Sequence, residues 1–377
     1  MKLTTSTIYL SRSAFLNNIR FLKSFSPSSK FFPVVKANAY GHGLKEVVSI
    51  VDDYVDGYCV HSVDEAIEIE TKKPILILGH IGSNENLLRE LLKSKKLYLT
   101  VYSGRVVDFV ENIANSVRKP IGLFVKVETG TNRLGLEEND ALNLADRIVN
   151  SKSLNFMGFS THFANIEDTT DHSFAKKQIE IFNRVIAKFS GQHVEKHNAC
   201  SAALMLFEET RTEIVRPGIS FYGYYPSRET IVSLNAKGYE KKNGLKPVLS
   251  WKTNPLQIKK VKANSYIGYG LTYKATKDMT IAVLPVGYSD GYDRGLSNNG
   301  YVLIKGRRCP IVGRICMNLF MVDVTHIDNI SEQDEVVLIG KSGEEEITAD
   351  TIASFLGTIN YEVLARLNPF IQKKIVE

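Results

Sequence analysis

The sequence predicts an α/β chain in two parts, an N-terminal (β/α)8 barrel followed by a C-terminal mainly-β domain. Three observations carry that expectation. Eight short apolar runs recur between Phe31 and Val215. Most of them are separated by amphipathic stretches with helical spacing. After Tyr222 the texture changes to short strand-like runs bounded by turn residues. A chain of 377 residues has room for two domains, and the expected division is 1–232 and 233–377.

The eight runs are Phe31–Val35, Gly57–Val60, Ile75–Leu78, Leu97–Val101, Ile121–Val127, Phe156–Ser160, His193–His197 and Glu213–Val215. They are too short for helices and rich in β-branched and aromatic residues, as buried strands are. Val63–Ile69 and Ala175–Phe189 are helix candidates; the second sets Ile179, Phe182, Val185, Ile186 and Phe189 on one side. Strands alternating with helices build a parallel sheet, and eight of them point to a closed barrel rather than an open one. The segment Pro226–Lys246, polar and rich in turn formers, reads as a hinge. Beyond it, Val248–Val261, Met279–Val286, Tyr301–Ile304, Cys309–Met317, Phe320–Val324 and Glu335–Ile339 read as strands. Thr348–Leu356 and Tyr361–Leu367 turn helical again.

Composition narrows the function classes. The chain is 44% hydrophobic and 23% charged, an ordinary globular balance. Its net charge of +6 is spread along the sequence without a basic block interleaved with aromatics, which argues against nucleic acid as the main partner. Cys59, Cys200, Cys309 and Cys316 form no C-x-x-C pair, so neither a disulfide framework nor a zinc site is expected, and no metal. The thiols fit a reducing compartment. There is no signal-like apolar core and no run long enough to span a bilayer, so the expectation is a cytoplasmic protein with no membrane partner.

In barrels of this kind, ligands bind at the carboxyl ends of the strands. Lys36 follows the first run, in Val34-Val35-Lys36-Ala37-Asn38-Ala39-Tyr40-Gly41-His42-Gly43. A lone lysine at a strand end more often extends into solvent. One held near the core loses charge by desolvation and becomes nucleophilic. After the fifth run comes Glu128-Thr129-Gly130-Thr131-Asn132-Arg133-Leu134-Gly135. After the sixth comes Thr161-His162-Phe163, after the seventh Asn198-Ala199-Cys200-Ser201, and after the eighth Arg216-Pro217-Gly218-Ile219. Phosphate sites often follow strands seven and eight, where Ser201, Gly218 and Ile219 offer a hydroxyl and two backbone N–H groups. A lysine, a phosphate cradle and an arginine together point to pyridoxal 5'-phosphate held as a Schiff base.

The Lys36 segment resembles the cofactor-attachment motif of alanine racemases. The likeness continues, in order, through Thr129–Gly135, Ser160–Ala164, Arg216–Ile219, Tyr266–Tyr273, Pro285–Gly291, Val312–Met317 and Thr358–Glu362. The resemblance implies a homodimer with shared active sites that racemises L-alanine and D-alanine and supplies D-alanine for peptidoglycan. By resemblance, Lys36 holds the cofactor and is one catalytic base, and the second, Tyr269, comes from the partner's C-terminal domain. A free tyrosine titrates near ~10, so nearby positive charge is needed for that role. Arg216 would face the pyridine nitrogen and, unable to give up its proton, leave that nitrogen unprotonated. His162 would stack on the ring. Tyr40, Ser201, Gly218, Ile219 and Tyr361 would hold the phosphate. Arg133 and Met317 would contact the substrate, and Tyr288 would narrow the entrance. Lys126 matches a lysine that is carbamylated in some members and orients the arginine at Arg133.

The chain departs from the family pattern at four places. Cys200 stands for the usual asparagine, Asn318 and Glu128 for aspartate, and Asn132 for a frequent glycine. Neither Cys200 nor Asn318 touches Lys36 or Tyr269, so these two are expected to tune affinity or substrate breadth (serine, for example) and not the reaction class. Two other readings compete. A decarboxylase on the same barrel would carry a glycine-rich phosphate loop and a cysteine-aspartate pair, neither of which is found. A non-catalytic pyridoxal-phosphate carrier would resemble the barrel alone.

Overall fold

A computed structural model describes residues 5–82, 84–189, 194–239 and 244–377. They form two compact units. One comprises 14–39 and 47–246; the other comprises 1–13, 40–46 and 247–377. The first strand, β1 (Ser6–Ser11), belongs to the second unit.

The first unit is a parallel barrel. Its strands are β2 (Lys30–Phe31), β3 (Tyr58–Ser62), β4 (Ile75–His80), β5 (Leu97–Val101), β6 (Ile121–Lys126), β7 (Leu154–Ser160), β8 (Glu195–His197) and β9 (Ile214–Val215). β3 to β8 pair in chain order, and β2 pairs with β9. Parallel bridges join Val34 to Cys59 and Ala199 to Val215, so the ring closes on both sides of β2 and β9. Helices cover the outside. Those over Glu85–Ser94 and Gly104–Val117 start at Asn84 and Ser103, whose side chains accept from Leu87 N and Val106 N. The helix Ser173–Lys188 buries Ala175, Gln178, Ile179, Phe182 and Val185. Leu76, Ile77, Leu99, Leu123, Phe124 and Phe159 are fully buried, each such side chain stabilising the fold by about 1.5–3 kcal/mol.

Local chemistry explains where the strands differ from the expected runs. β2 stops at Phe31; Phe32 N still donates to Val215 O at 2.9 Å, but Pro33 has no N–H to give, and the next parallel bridge is Val34 to Cys59. β7 and β8 lie very close at Gly158, which has φ 147° and whose Cβ, if present, would stand 1.8 Å from Glu195 O. Of the expected seventh run, His193 lies outside the described residues. The segment read as a hinge carries a helix, Arg228–Ala236, whose first turn is capped by Ser227 accepting from Thr230 N at 3.0 Å; residues 240–243 lie outside the described residues. Only Thr230 and Leu234 of that helix are buried, so its pattern is too polar to stand out.

The second unit is mainly β. Its strands after β1 are β10 (Leu249–Thr253), β11 (Gln257–Val261), β12 (Tyr266–Ile267), β13 (Tyr273–Lys274), β14 (Met279–Leu284), β15 (Tyr301–Ile304), β16 (Arg307–Pro310), β17 (Phe320–Asp323), β18 (Val336–Ser342), β19 (Glu345–Ile347) and β20 (Gln372–Val376). The largest sheet runs β16-β15-β18-β10-β1-β20, with β19 on β18. A second sheet runs β11-β14-β17, and β12 and β13 form a ribbon. The run Val248–Val261 is two strands in two sheets, broken at Asn254-Pro255. The run Cys309–Met317 is strand only to Pro310, beyond which Ile311 bridges Val322. β1 enters the large sheet antiparallel to β10, and buried Trp251 donates its Nε1–H to Ser6 Oγ at 3.0 Å. Helices Ala349–Leu356 and Asn360–Ala365 follow. Among the described residues no helix is long and apolar enough to cross a membrane.

Candidate active site

The carboxyl ends of the barrel strands bring together Lys36 after β2, Lys126 at the end of β6, Arg133 beyond it, His162 after β7, Ser201 after β8, and Arg216, Gly218 and Ile219 after β9. Lys36 opens an unusual turn. Ala37, Asn38 and Ala39 have φ near +53° and ψ of 47–53°, and Tyr40 has φ 53°. This is left-handed helix, which costs L-residues about 1–2 kcal/mol each. Ala39 N donates to Val35 O at 2.9 Å, and Ala37 N to Glu65 Oε1 at 2.7 Å.

The site is rich in positive charge. Burial, then the Arg133 and Arg216 guanidiniums, bring the Lys36 amine below the ordinary lysine range, against the opposing charge of Glu65. Burial drives Lys126 well below that range too, assisted by Arg216 and Arg133. A neutral, nucleophilic amine is what both positions favour.

Arg216 is buried and fixed. Its Nη2 donates to Thr161 O at 2.5 Å and to Asn198 O at 3.4 Å. His197 is buried beneath, edge-on to Phe124 with ring centroids 4.6 Å apart. Ser201 Oγ accepts from Gly218 N at 2.9 Å and Ser220 N at 3.2 Å, so hydroxyl and amides converge on one small region after β8 and β9. Cys200, beside that serine, has its thiol pushed up to about 11, chiefly by burial, which disfavours the thiolate.

Arg133 is carried by a loop folded around Glu128. Gly130 N and Thr131 N both donate to Glu128 Oε1 at 2.6 Å. Partial burial pushes this carboxyl upward, but backbone N–H groups from Gly130 to Arg133 outweigh it and hold the pKa below the usual value. Glutamate thus suits this loop, and Asn132 accepts the left-handed backbone (φ 51°) that a glycine would otherwise supply. Beneath the loop lies a buried network that the sequence did not reveal. Thr129 Oγ1 and Thr161 Oγ1 are 2.8 Å apart, Gln178 Nε2 donates to Thr129 Oγ1 at 3.1 Å, and Ala164 N donates to Gln178 Oε1 at 3.0 Å.

The remaining residues lie in the second unit. Tyr40 and Tyr361 have ring centroids 6.1 Å apart. Tyr269 is 72% exposed, on a turn whose next residue, Gly270 (φ 72°), leaves a Cβ position only 2.7 Å from Arg314 Nη1. Met317 and Tyr288 are exposed, and Ser289 ties them, its N and Oγ both donating to Met317 O. Asn318 donates Nδ2–H to Ser289 Oγ at 2.8 Å, so this departure from aspartate supports the Met317 carbonyl.

Comparison with known proteins shows the family. Residues 10–226 match the family model "Alanine racemase, N-terminal domain", and 248–375 match "Alanine racemase, C-terminal domain". An alanine racemase of Leptospira interrogans is 36% identical over 99% of this chain and 96% of its own length. One from Carboxydothermus hydrogenoformans is 38% identical over 93% of this chain and 94% of its own. The solved alanine racemase of Clostridium difficile 630 superposes with a TM-score of 0.90 at 31% identity, covering 100% of this chain and 97% of that one.

Proposed function

The chain belongs to the alanine racemase family, enzymes that isomerise an amino acid, and on that premise we propose that it interconverts L-alanine and D-alanine with pyridoxal 5'-phosphate, using Lys36 and a second copy's Tyr269 as opposed bases. The observation that carries this is a lysine at the carboxyl end of a barrel strand, on the same rim as Arg133 and Arg216.

The residues present fit the cofactor. Lys36 would hold its aldehyde carbon. Ser201, Gly218 and Ile219, with Tyr40 and Tyr361, would hold its phosphate, and His162 would lie along its ring. When bound, the cofactor supplies a sink for the electron pair left at the α-carbon. Arg216, tied to two carbonyls, would face the ring nitrogen and keep its own proton, so the ring would draw electrons less strongly than a protonated one. Restrained withdrawal suits racemisation over side reactions. The Lys36 amine, its pKa lowered by burial and the arginines, would take or return a proton on one face, and the Tyr269 phenol would do so on the other. Arg133 and the backbone at Met317 would bind the substrate carboxylate, and Tyr288 would narrow the entrance.

Lys126 is proposed to be carbamylated. Its neutral amine can attack carbon dioxide and lose a proton, and Arg133 and Arg216 stabilise the anion formed. A homodimer is supported by the apolar surface around Tyr269, Leu271, Met317 and Leu319, each more than a third exposed. Cysteines that form no disulfide support a reducing cytoplasm, where the product would feed peptidoglycan synthesis.

The test is chiral analysis of alanine after incubation of the purified chain with pyridoxal phosphate and L-alanine in heavy water. D-alanine carrying α-deuterium is the expected product; L-alanine left unchanged by the loaded protein overturns the reading. Carbon dioxide release instead would indicate decarboxylation.

A further inference from the structure

The left-handed turn after Lys36 is made of non-glycine residues, and such a conformation persists only where its surroundings over-determine it. One such contact comes from a side chain of another element. Glu65 lies in the short helix Val63–Ile67 after β3. Its Oε1 accepts from Ala37 N at 2.7 Å, the first amide of the turn. Its Oε2 accepts from His61 N at 2.6 Å and from Ser62 N at 3.4 Å. Ser62 Oγ in return accepts from Glu65 N, which completes a capping box. An ordinary helix cap needs only the second oxygen. The first reaches out of its own element to the residue following Lys36.

We propose that Glu65 is a positioning residue for Lys36: its carboxylate fixes the left-handed turn that aims the lysine amine, and places a negative charge beside it. The inference rests on the reading of Lys36 as the cofactor-binding base. The charges facing that amine are Arg133 and Arg216, which disfavour its protonated form, and Glu65, which favours it; His162, also close, is kept neutral by burial and the arginines. Glutamine in place of Glu65 removes the charge and turns an amide N–H₂ toward one of the donors, while alanine removes both acceptors.

The experiment uses the cofactor-free full chain. Lys36 is labelled with an amine-acylating reagent across a pH series, its peptide is quantified by mass spectrometry, and Tm is recorded. In Glu65→Gln and Glu65→Ala the midpoint of Lys36 labelling is expected to move to lower pH. The plateau rate, where the amine is neutral in every variant, is expected to fall by about ten-fold. Asp64→Asn, an exposed acid on the same helix, should change neither. Folded Glu65 variants with the parent's midpoint and plateau, even at lowered Tm, would overturn the proposal; if the alanine variant does not fold, the glutamine variant decides. Labelling needs no cofactor, so a parent chain that failed to take up pyridoxal phosphate would refute the proposed function and leave this result readable.

Discussion

Arg216 Nη1 lies 3.4 Å from Nδ1 of His162. A proton on that nitrogen would face a permanent cation, so the imidazole is held neutral. Burial, followed by the Arg216 guanidinium, depresses its pKa well below the ordinary histidine value. His197 is depressed in the same sense by burial and Arg216. The folded chain therefore binds fewer protons than the unfolded one near pH 6. Stability should fall as the pH drops below about 6.5, by at most about 1.4 kcal/mol per pH unit for each histidine. Urea unfolding at pH 7.5 and 5.5 measures the fall, and His162→Gln should reduce it. Equal loss in parent and variant would show that His162 is not held neutral.

Tyr269 serves one face of the α-carbon in the proposed mechanism, so its removal should be asymmetric. Tyr269→Phe should retain cofactor, because the residue is highly exposed and does not support the fold. Turnover should drop by 10²-fold or more, the ordinary worth of an acid–base group being about 10²–10⁴. Exchange of α-hydrogen with solvent from one enantiomer should persist through Lys36. Unchanged racemisation in both directions would remove Tyr269 from the mechanism.

Gln178 joins the loops after β6 and β7 through Thr129 and Ala164 and is fully buried. Gln178→Ala strands the Ala164 N–H, which should cost about 1–3 kcal/mol in the urea midpoint. Arg133 follows Thr129 in the same loop, so KM for alanine should rise as well. Lowered stability with KM unmoved would mean that the network does not govern the loop.

Gly158→Ala drives a Cβ into Glu195 O and also strains the positive φ. Separation of β7 from β8 would displace Ser201 and Arg216 downstream. Destabilisation of at least about 1–3 kcal/mol is expected, together with weaker uptake of pyridoxal phosphate. Parent-like behaviour on both counts would show that the two strands tolerate a wider gap.

The site's reactive residues were legible because each closes a recognisable apolar run: Lys36 after Val34-Val35, His162 after Phe159, Arg216 after Val215. The helix that begins at Val63 was legible in the same local way, from its amphipathic spacing. What escaped depends on partners distant in sequence. Glu65 looks like a cap and nothing more until Ala37 is beside it. Gln178 sits among apolar residues of its helix, where a polar residue gives no hint of Thr129. β1 pairs with β10, so nothing near Ser6–Ser11 shows that it joins the C-terminal sheet. The polar helix Arg228–Ala236 has too little buried surface to mark itself.

The central claim is that Lys36 is the amine that takes the cofactor. Borohydride reduction after addition of pyridoxal phosphate, followed by peptide mapping, tests it most directly. The phosphopyridoxyl group should lie on the peptide containing Lys36 and be absent from Lys36→Ala. Label on another lysine, or equal labelling of the variant, would contradict the account.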